Sequence, residues 1–386
     1  MTAAGISMLL TVISSCGTSD TSHPAADFAI NLTPGDSSLT LSDYFAADYD
    51  IIKLDGATVG YISDLIVTDS AIYVTSISQE GLLLQFDSRG QFVKTLLTKG
   101  QGPDEVLNLQ RVRSDGDYLY CLCDFGKIIK RYSTKEGAFD STFTVPAEIL
   151  YPDDFIKVGE NLVFFKSKCD LENDSTQYHL YVYDTASESV KERYSEIDRE
   201  ASEYISVSPP ANFCPDTDGG ALFIKAFADG ISRIDSKGNI ADYITFRTNE
   251  YTFPEEKLHG KNTFMQFIEY CMESDYMWAF NRIRTDGSTA FFGFQYKNNP
   301  YLAFLDRDSG VVATSSIVND DIFAGSEIPV SEWGTIVCAD RGRVFVSYPF
   351  SAIEQACASS GKLQRNPLVS ALTADDNELI VAFHTR

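Results

Sequence analysis

Histidine is scarce in this 386-residue chain: His23, His179, His259 and His384 are the only four. One lies in a polar stretch near the N-terminus and the others are far apart, so their spacing does not indicate a multi-histidine metal centre. No GxSxG nucleophile elbow, HExxH pair or P-loop occurs. Positive charge is also in deficit, with 31 Lys and Arg against 55 Asp and Glu, a formal net charge of −24. Such a surface repels phosphate backbones, which argues against a nucleic-acid partner. Long hydrophobic runs are missing too, since Ile6–Ile13 (ISMLLTVI) is too short to span a bilayer as a helix.

That run is followed by Ser14, Ser15 and Cys16. A short apolar core, small residues and then Cys resemble a bacterial lipoprotein signal peptide, cleaved before Cys16 so that Cys16 becomes lipidated. The leader MTAAG departs from the pattern in having no Lys or Arg, and a plain secretory signal or a disordered leader is the alternative. The expected organisation is a signal peptide over 1–15, a flexible tether over 16–39 and one domain over 40–386. The chain is then exported and lipid-anchored in the cell envelope, on the periplasmic or the outer-membrane face. Seven cysteines follow Cys16, an odd number, so they cannot all pair internally. Cys121 and Cys123 share one strand face without CxxC spacing, which favours buried free thiols and leaves disulfides unassigned.

What is abundant is aromatic: 26 Phe and 20 Tyr, in short runs that suit strands. From Tyr49 onward, strand-like runs recur in fours. Ile62–Val67, Ala71–Thr75, Gly81–Phe86 and Gln91–Leu97 make the first set. Sets two to five follow, ending with Phe280–Arg284, Ala290–Gln295, Tyr301–Leu305 and Val311–Val318. A sixth, interrupted set begins at Thr335. A marker of one large apolar residue, a polar turn and a small residue accompanies the sets: FDSRG at Phe86, YSTKEG at Tyr132, YDTASE at Tyr183, IDSKGN at Ile234 and LDRDSG at Leu305. The fold expected is all-β, a six-bladed β-propeller of four-stranded antiparallel blades. Tyr49–Leu54 should close the ring as the outer strand of the last blade and hide its edge. Short helical insertions are expected at about 254–278 and over Ser351–Lys362.

The stretch LDGATVGYISDLIVTDSAIYV, with LLLQFDSRGQFVKTLLTKGQGPDEV after it, resembles the six-bladed β-propeller lipoproteins of Bacteroides-type bacteria, a TolB-like or NHL-like architecture. Their usual crossover, Gly-x-Gly-Pro-Gly-Glu-Tyr, is here Gly100-Gln101-Gly102-Pro103-Asp104-Glu105-Val106, with Asp104 and Val106 as departures. The resemblance implies fold and compartment and carries no activity.

Alternating strand direction puts the crossovers and the loops between second and third strands on one face. Arg111, Asp124, Lys166, Lys225, Arg282 and Tyr296 lie near that face and are the candidate ligand-binding residues. The competing reading is that Arg and Asp along the channel pair with one another. Asp216 and Asp218 are the carboxylates a calcium ion would use, but full coordination needs more oxygens, and no cofactor is expected. The function expected is non-enzymatic binding of a protein, peptide or glycan ligand. The alternative is a metal-dependent, lactonase-like hydrolase or lyase at the channel mouth, which rests on fold analogy.

Overall fold

The computed structural model describes residues 28–76, 81–102, 105–202, 211–261, 263–359, 363 and 366–386. The repeat marker has a physical basis in its aspartate. Asp87 Oδ1 accepts hydrogen bonds from the amides of Arg89 (2.8 Å) and Gln91 (2.9 Å), and Asp235 does the same for Lys237 and Asn239. Asp184 and Asp306 cap their own turns through Ala186, Ser187, Asp308 and Ser309. Each is a side-chain-nucleated reversal between a third and a fourth strand. Gly90 closes its turn at φ +85°, where an added Cβ would meet the Lys53 carbonyl oxygen at 2.1 Å.

These turns organise seven sheets among the described residues. Sheet 1 contains Leu65–Val67, Ala71–Thr75, Leu83–Asp87 and Phe92–Lys99, extended by Glu105–Val106. Sheet 2 contains Leu109–Ser114, Tyr118–Cys123, Ile128–Ser133 and Phe139–Thr144. Sheet 3 contains Asp154–Val158, Asn161–Phe165, Tyr178–Asp184 and Ser189–Glu196. Sheet 4 contains Phe213–Pro215, Ala221–Phe223, Gly230–Ile234 and Ile240–Arg247, with Phe28–Asn31 added in parallel outside. Sheet 5 contains Trp278–Thr285, Thr289–Tyr296, Asn299–Asp306 and Val312–Ser315. Sheet 6 has three short strands, Leu39–Thr40, Ile317–Asp320 and Ser326–Pro329. Sheet 7 contains Thr335–Asp340, Arg343–Tyr348, Leu379–Thr385 and Phe45–Ile52.

The first strands of sheets 1, 2, 3, 4, 5 and 7 touch one another in that order and back to sheet 1, which makes a propeller around a central axis. Middle strands are covered on both faces, so Ala71–Thr75 and Asn161–Phe165 are buried throughout and read as unbroken apolar text. Outer strands such as Ser189–Glu196 (SVKERYSE) face water. The hydrophobic core therefore lies between sheets. Phe45 stacks near Phe383 (5.4 Å) and Phe291 (6.0 Å), joining sheets 7 and 5. Burying one such ring contributes about 1.5–3 kcal/mol.

Three expectations need correction. The count of six blades becomes seven sheets, because the run Val311–Val318 breaks at Ser316 and Ile317–Asp320 starts a separate sheet. Its parallel partner, Leu39–Thr40, is remote in sequence, and local periodicity carries no trace of that pairing. Phe28–Asn31, read as part of the tether, is a strand in register with Ile244–Arg247. The insert expected at about 254–278 narrows to a 3-10 turn, Glu255–Leu258, and a helix, Phe264–Glu273, capped by the Thr263 side chain. The second insertion is a helix over Phe350–Ser359. The chain ends do meet: Phe45–Ile52 pairs antiparallel with Leu379–Thr385, setting Tyr49 opposite Phe383 and Ile51 opposite Val381. Among the described residues, no helix is long and apolar enough to cross a membrane.

Candidate functional site

Two first strands carry the same text. Leu109–Ser114 runs through Arg111-Val112-Arg113 into SDG, and Trp278–Thr285 runs through Arg282-Ile283-Arg284 into TDG. Sheets 2 and 5, which hold them, stand across the ring from each other, each flanked by two other sheets on either side. In sheet 2, strand alternation sends Arg111 and Arg113 to one side, away from the buried Val112. In sheet 5 the register shifts between Asn281 and Arg284 and Arg282 sits at φ 53°, so a bulge places Arg282, and both arginines reach sheet 7, at Thr335 and Val337.

In sheet 2 the inner arginine is fully engaged. Arg113 Nη2 donates to both oxygens of Asp154 at 2.6 and 2.7 Å, and Nη1 donates to Asp64 at 3.2 Å. Its Nε donates to the Phe155 carbonyl and Nη1 also to that of Val112. Asp64 and Asp154 stand at the beginnings of the first strands of sheets 1 and 3, so one guanidinium ties three sheets together. Asp154 has no solvent exposure and also accepts from the Asn212 amide at 2.9 Å. Burial works against the Arg113 charge, but Asp154 and Asp64 outweigh it and hold its pKa above the ordinary arginine value. Arg111, nearer the mouth, lies 3.9 Å from Asp154 through Nε. That Nε is buried and makes no hydrogen bond among the described residues.

Sheet 5 repeats the arginines without the carboxylates. Arg284 Nε donates to the Val337 carbonyl (3.1 Å) and Nη1 to that of Ile283 (2.8 Å), the same two backbone bonds that Arg113 makes. Among the described residues it forms no ion pair, although it is only 8% exposed. Burial and the neighbouring Arg113 charge pull its pKa below the ordinary value. Asp64 and the thiols of Cys214 and Cys338 act the other way. Guanidinium pKa values are high enough that it stays charged at neutral pH. Arg282 donates to the Thr335 hydroxyl (3.0 Å) and to the Tyr61 phenol (2.7 Å), also with no carboxylate partner. Among the described residues, the four guanidiniums of these motifs thus have two carboxylates in ion-pair contact between them, both on the sheet-2 pair, at the centre of a strongly acidic protein.

The six residues expected to converge do so only in part. Arg111 and Arg282 belong to the axial cluster. Asp124 braces the crossover by accepting the Leu107 amide at 2.7 Å, in a left-handed conformation of φ 54°. Lys166 is buried against Gln177 Oε1 at 3.1 Å, and burial lowers its pKa. Lys225 lines a cleft of about 270 Å³ between sheets 3 and 4, together with His179 and Asp242. Burial and the Lys225 charge push the His179 pKa down to about 4, against its bond to the Lys166 carbonyl. Tyr296 packs edge-on against Tyr251 at 5.5 Å, in an aromatic group away from the arginines. Cys16 lies outside the described residues, as do Pro103 and Asp104 of the crossover.

Sequence reasoning missed Arg113, Arg284, Asp64 and Asp154. The repeated R-x-R-[ST]-D-G text at 111–116 and 282–287 was the available signal for the arginines. Asp216 and Asp218, the carboxylates weighed for calcium, are taken up by arginines instead. Arg307 holds Asp216 at 2.8 and 2.9 Å, and Arg233 reaches Asp218 at 2.6 Å. Cys121, Cys123, Cys214, Cys271 and Cys338 carry free thiols. A cleft of about 480 Å³ between sheets 2 and 3, lined by Tyr120, Arg131 and Glu160, is larger than the first but lies at the rim.

Residues 28–384 match the sequence profile of a family described as Domain of unknown function (DUF4934). No curated protein matches the chain. Among solved structures, the chain is similar to a protein of Bacteroides fragilis NCTC 9343 provisionally described as exported, with a TM-score of 0.71 at 13% identity. That alignment covers 93% of this chain and 99% of the other. A member of the DUF4221 family from Bacteroides vulgatus ATCC 8482 is similar with a TM-score of 0.56 at 11% identity, over 89% and 97% of the two chains. At such identities the likeness establishes the propeller fold alone.

Proposed function

The chain belongs to the DUF4934 family, and on that premise we propose that it is an exported, lipid-anchored propeller that binds, without converting it, a negatively charged protein, peptide or glycan ligand at its axial mouth. One observation carries the reading: among the described residues, the two Arg-x-Arg motifs at the axis bring four arginines and ion-pair with two carboxylates, inside a protein of net charge −24. A guanidinium kept at a water-poor centre without a counter-ion is costly for folding, and a ligand anion would recover that cost. The two axial carboxylates are bound to Arg113, which leaves neither free to take a proton from a substrate. Arg111 and Arg282 are the more exposed pair and meet the ligand first.

The test is an array of acidic and neutral oligosaccharides and peptides probed with the full chain and with Arg282→Glu. Capture of acidic members, lost on charge reversal, is the expected result. Equal capture of neutral members, or turnover of a captured member seen by mass spectrometry, would overturn the reading. Export and anchoring rest on the Ile6–Cys16 leader and on the exported description of the Bacteroides fragilis protein. Replacing Cys16 by Ala should release the protein from the membrane fraction, and continued anchoring would refute lipidation there.

A further inference from the structure

We infer that the sheet-5 half of the axis is a carboxylate subsite, in which the carboxylate of the ligand lies across Arg282 and Arg284. The inference rests on the binding reading above and names the group that the mouth selects.

The protein contains its own template for such a complex. In sheet 2 a single carboxylate, Asp154, spans the motif: it is bidentate on Arg113 Nη2 and lies 3.9 Å from Arg111 Nε. Arg113 is oriented for this by two backbone acceptors, Phe155 on the next sheet and Val112 on its own strand. Arg284 is held by the equivalent acceptors, Val337 on the next sheet and Ile283 on its own strand. The guanidinium is therefore posed as Arg113 is posed, with Nη2 free of any hydrogen bond to the described residues and with no ion pair among them, Asp64 acting on it only at longer range. Fixed orientation before binding is what gives a fork-shaped donor its selectivity for planar carboxylates.

The acidic partner on the other flank is also missing. Asp64 opens sheet 1 with its carbonyl accepting from Thr75, and Asn212 opens sheet 4 with its carbonyl accepting from Ile224. At the sheet position where sheet 1 carries a carboxylate, sheet 4 carries a neutral amide, whose Nδ2 donates to the Ile224 carbonyl at 2.9 Å. The Asn212 Oδ1 is buried with no hydrogen-bond partner among the described residues. Tyr61, which is 40% exposed, places its phenol oxygen on Arg282 Nη2. A carboxylate oxygen is a stronger acceptor than that phenol and would displace it.

The experiment is calorimetric titration of the full chain with glucuronate and acetate, with glucose as the neutral counterpart and inorganic phosphate as the competing anion. Glucuronate and acetate should bind, and glucose should bind at least about tenfold more weakly, since losing a hydrogen-bonded charge costs that much or more. Arg284→Gln should remove the acid-specific binding. Asn212→Asp should remove it as well by supplying an internal carboxylate, at a lower melting temperature because the Nδ2 bond to the Ile224 carbonyl is lost. Arg282→Gln, at a partly exposed side chain, should weaken acid binding with a native circular dichroism spectrum, which covers the case in which the buried variants fail to fold. Glucose binding as well as glucuronate, phosphate binding more tightly than either acid, or acid binding that survives Asn212→Asp would each overturn the subsite. If the array shows Arg282-dependent capture while neither acid binds, the subsite falls and the binding reading stands. If the array captures nothing, the binding reading itself falls.

Discussion

Replacing Asp154 by Asn tests whether the axial ion cluster holds the ring together. The substitution keeps size and shape but turns one acceptor oxygen into an NH₂ group facing the Arg113 guanidinium, donor against donor. Asp154 has no solvent exposure and Arg113 only 7%, so water cannot replace the lost contacts. Removing one partner of a buried ion pair costs about 3–5 kcal/mol, because the other charge stays buried and uncompensated. Here Asp64 remains at 3.2 Å from Arg113, which places the expectation near the lower end, about 3 kcal/mol. Urea unfolding followed by circular dichroism should show a lower midpoint with an unchanged slope. The control is Asp140→Asn, which disrupts an exposed pair with Arg131 and should leave the urea midpoint nearly unchanged. Arg113→Met should cost less in the Asp154→Asn background than alone, since the two side chains share one interaction. A loss at Asp154 no larger than at Asp140, or strict additivity with Arg113→Met, would refute the reasoning.

Three further outcomes follow from the local chemistry. His179 is held near a pKa of about 4 by burial and by Lys225. The unfolded chain therefore takes up its proton first, and stability present above pH 6.5 is lost as pH falls toward 4, by at most about 1.4 kcal/mol per pH unit. His179→Gln should flatten that slope, and an unchanged slope in urea titrations would count against the assignment. Asp320 accepts from the Tyr348 hydroxyl, the Trp333 indole and the amides of Phe323 and Ala324, all without solvent access to the carboxylate residue. Asp320→Ala should cost roughly 3 kcal/mol or more and alter Trp333 fluorescence, whereas native emission and midpoint would contradict it. Thr263→Ala removes the cap on Phe264–Glu273 and should cost about 1 kcal/mol in thermal unfolding, with no effect on acid binding at the axis.

How far the chain was legible depended on the range of the interaction. FDSRG at Phe86 and IDSKGN at Ile234 were readable as turns because an aspartate two residues from its hydrogen-bond partner needs nothing beyond the turn itself. The ring-closing role of Tyr49–Leu54 was also readable, since a lone strand at the start can cover the open edge of the last sheet; that sheet lacks the strand expected at 368–372, where Pro367–Ser370 is a helix. Leu39–Thr40 and Phe28–Asn31 were not readable, because two to four residues carry no period and their partners lie far along the chain. At the site, Arg111 and Arg282 could be selected by their closeness to the crossover face. Lys225 and Tyr296 met the same criterion, yet Lys225 lines the cleft between sheets 3 and 4 and Tyr296 packs on Tyr251, since nearness to a face does not specify a partner.

By itself, the sequence determined the strands, their turns and the propeller class, because those features arise from alternation and from hydrogen bonds between near neighbours. It also placed Arg-x-Arg on two of the innermost strands. Only the tertiary structure decided what those arginines meet. Asp64 and Asp154 come from different sheets and neutralise Arg113, while Arg284 meets the backbone carbonyls of Val337 and Ile283. The identity of a charge partner at the axis is set by which strands the ring brings to the centre and by the register at which they arrive, and neither quantity is written in the local pattern of residues.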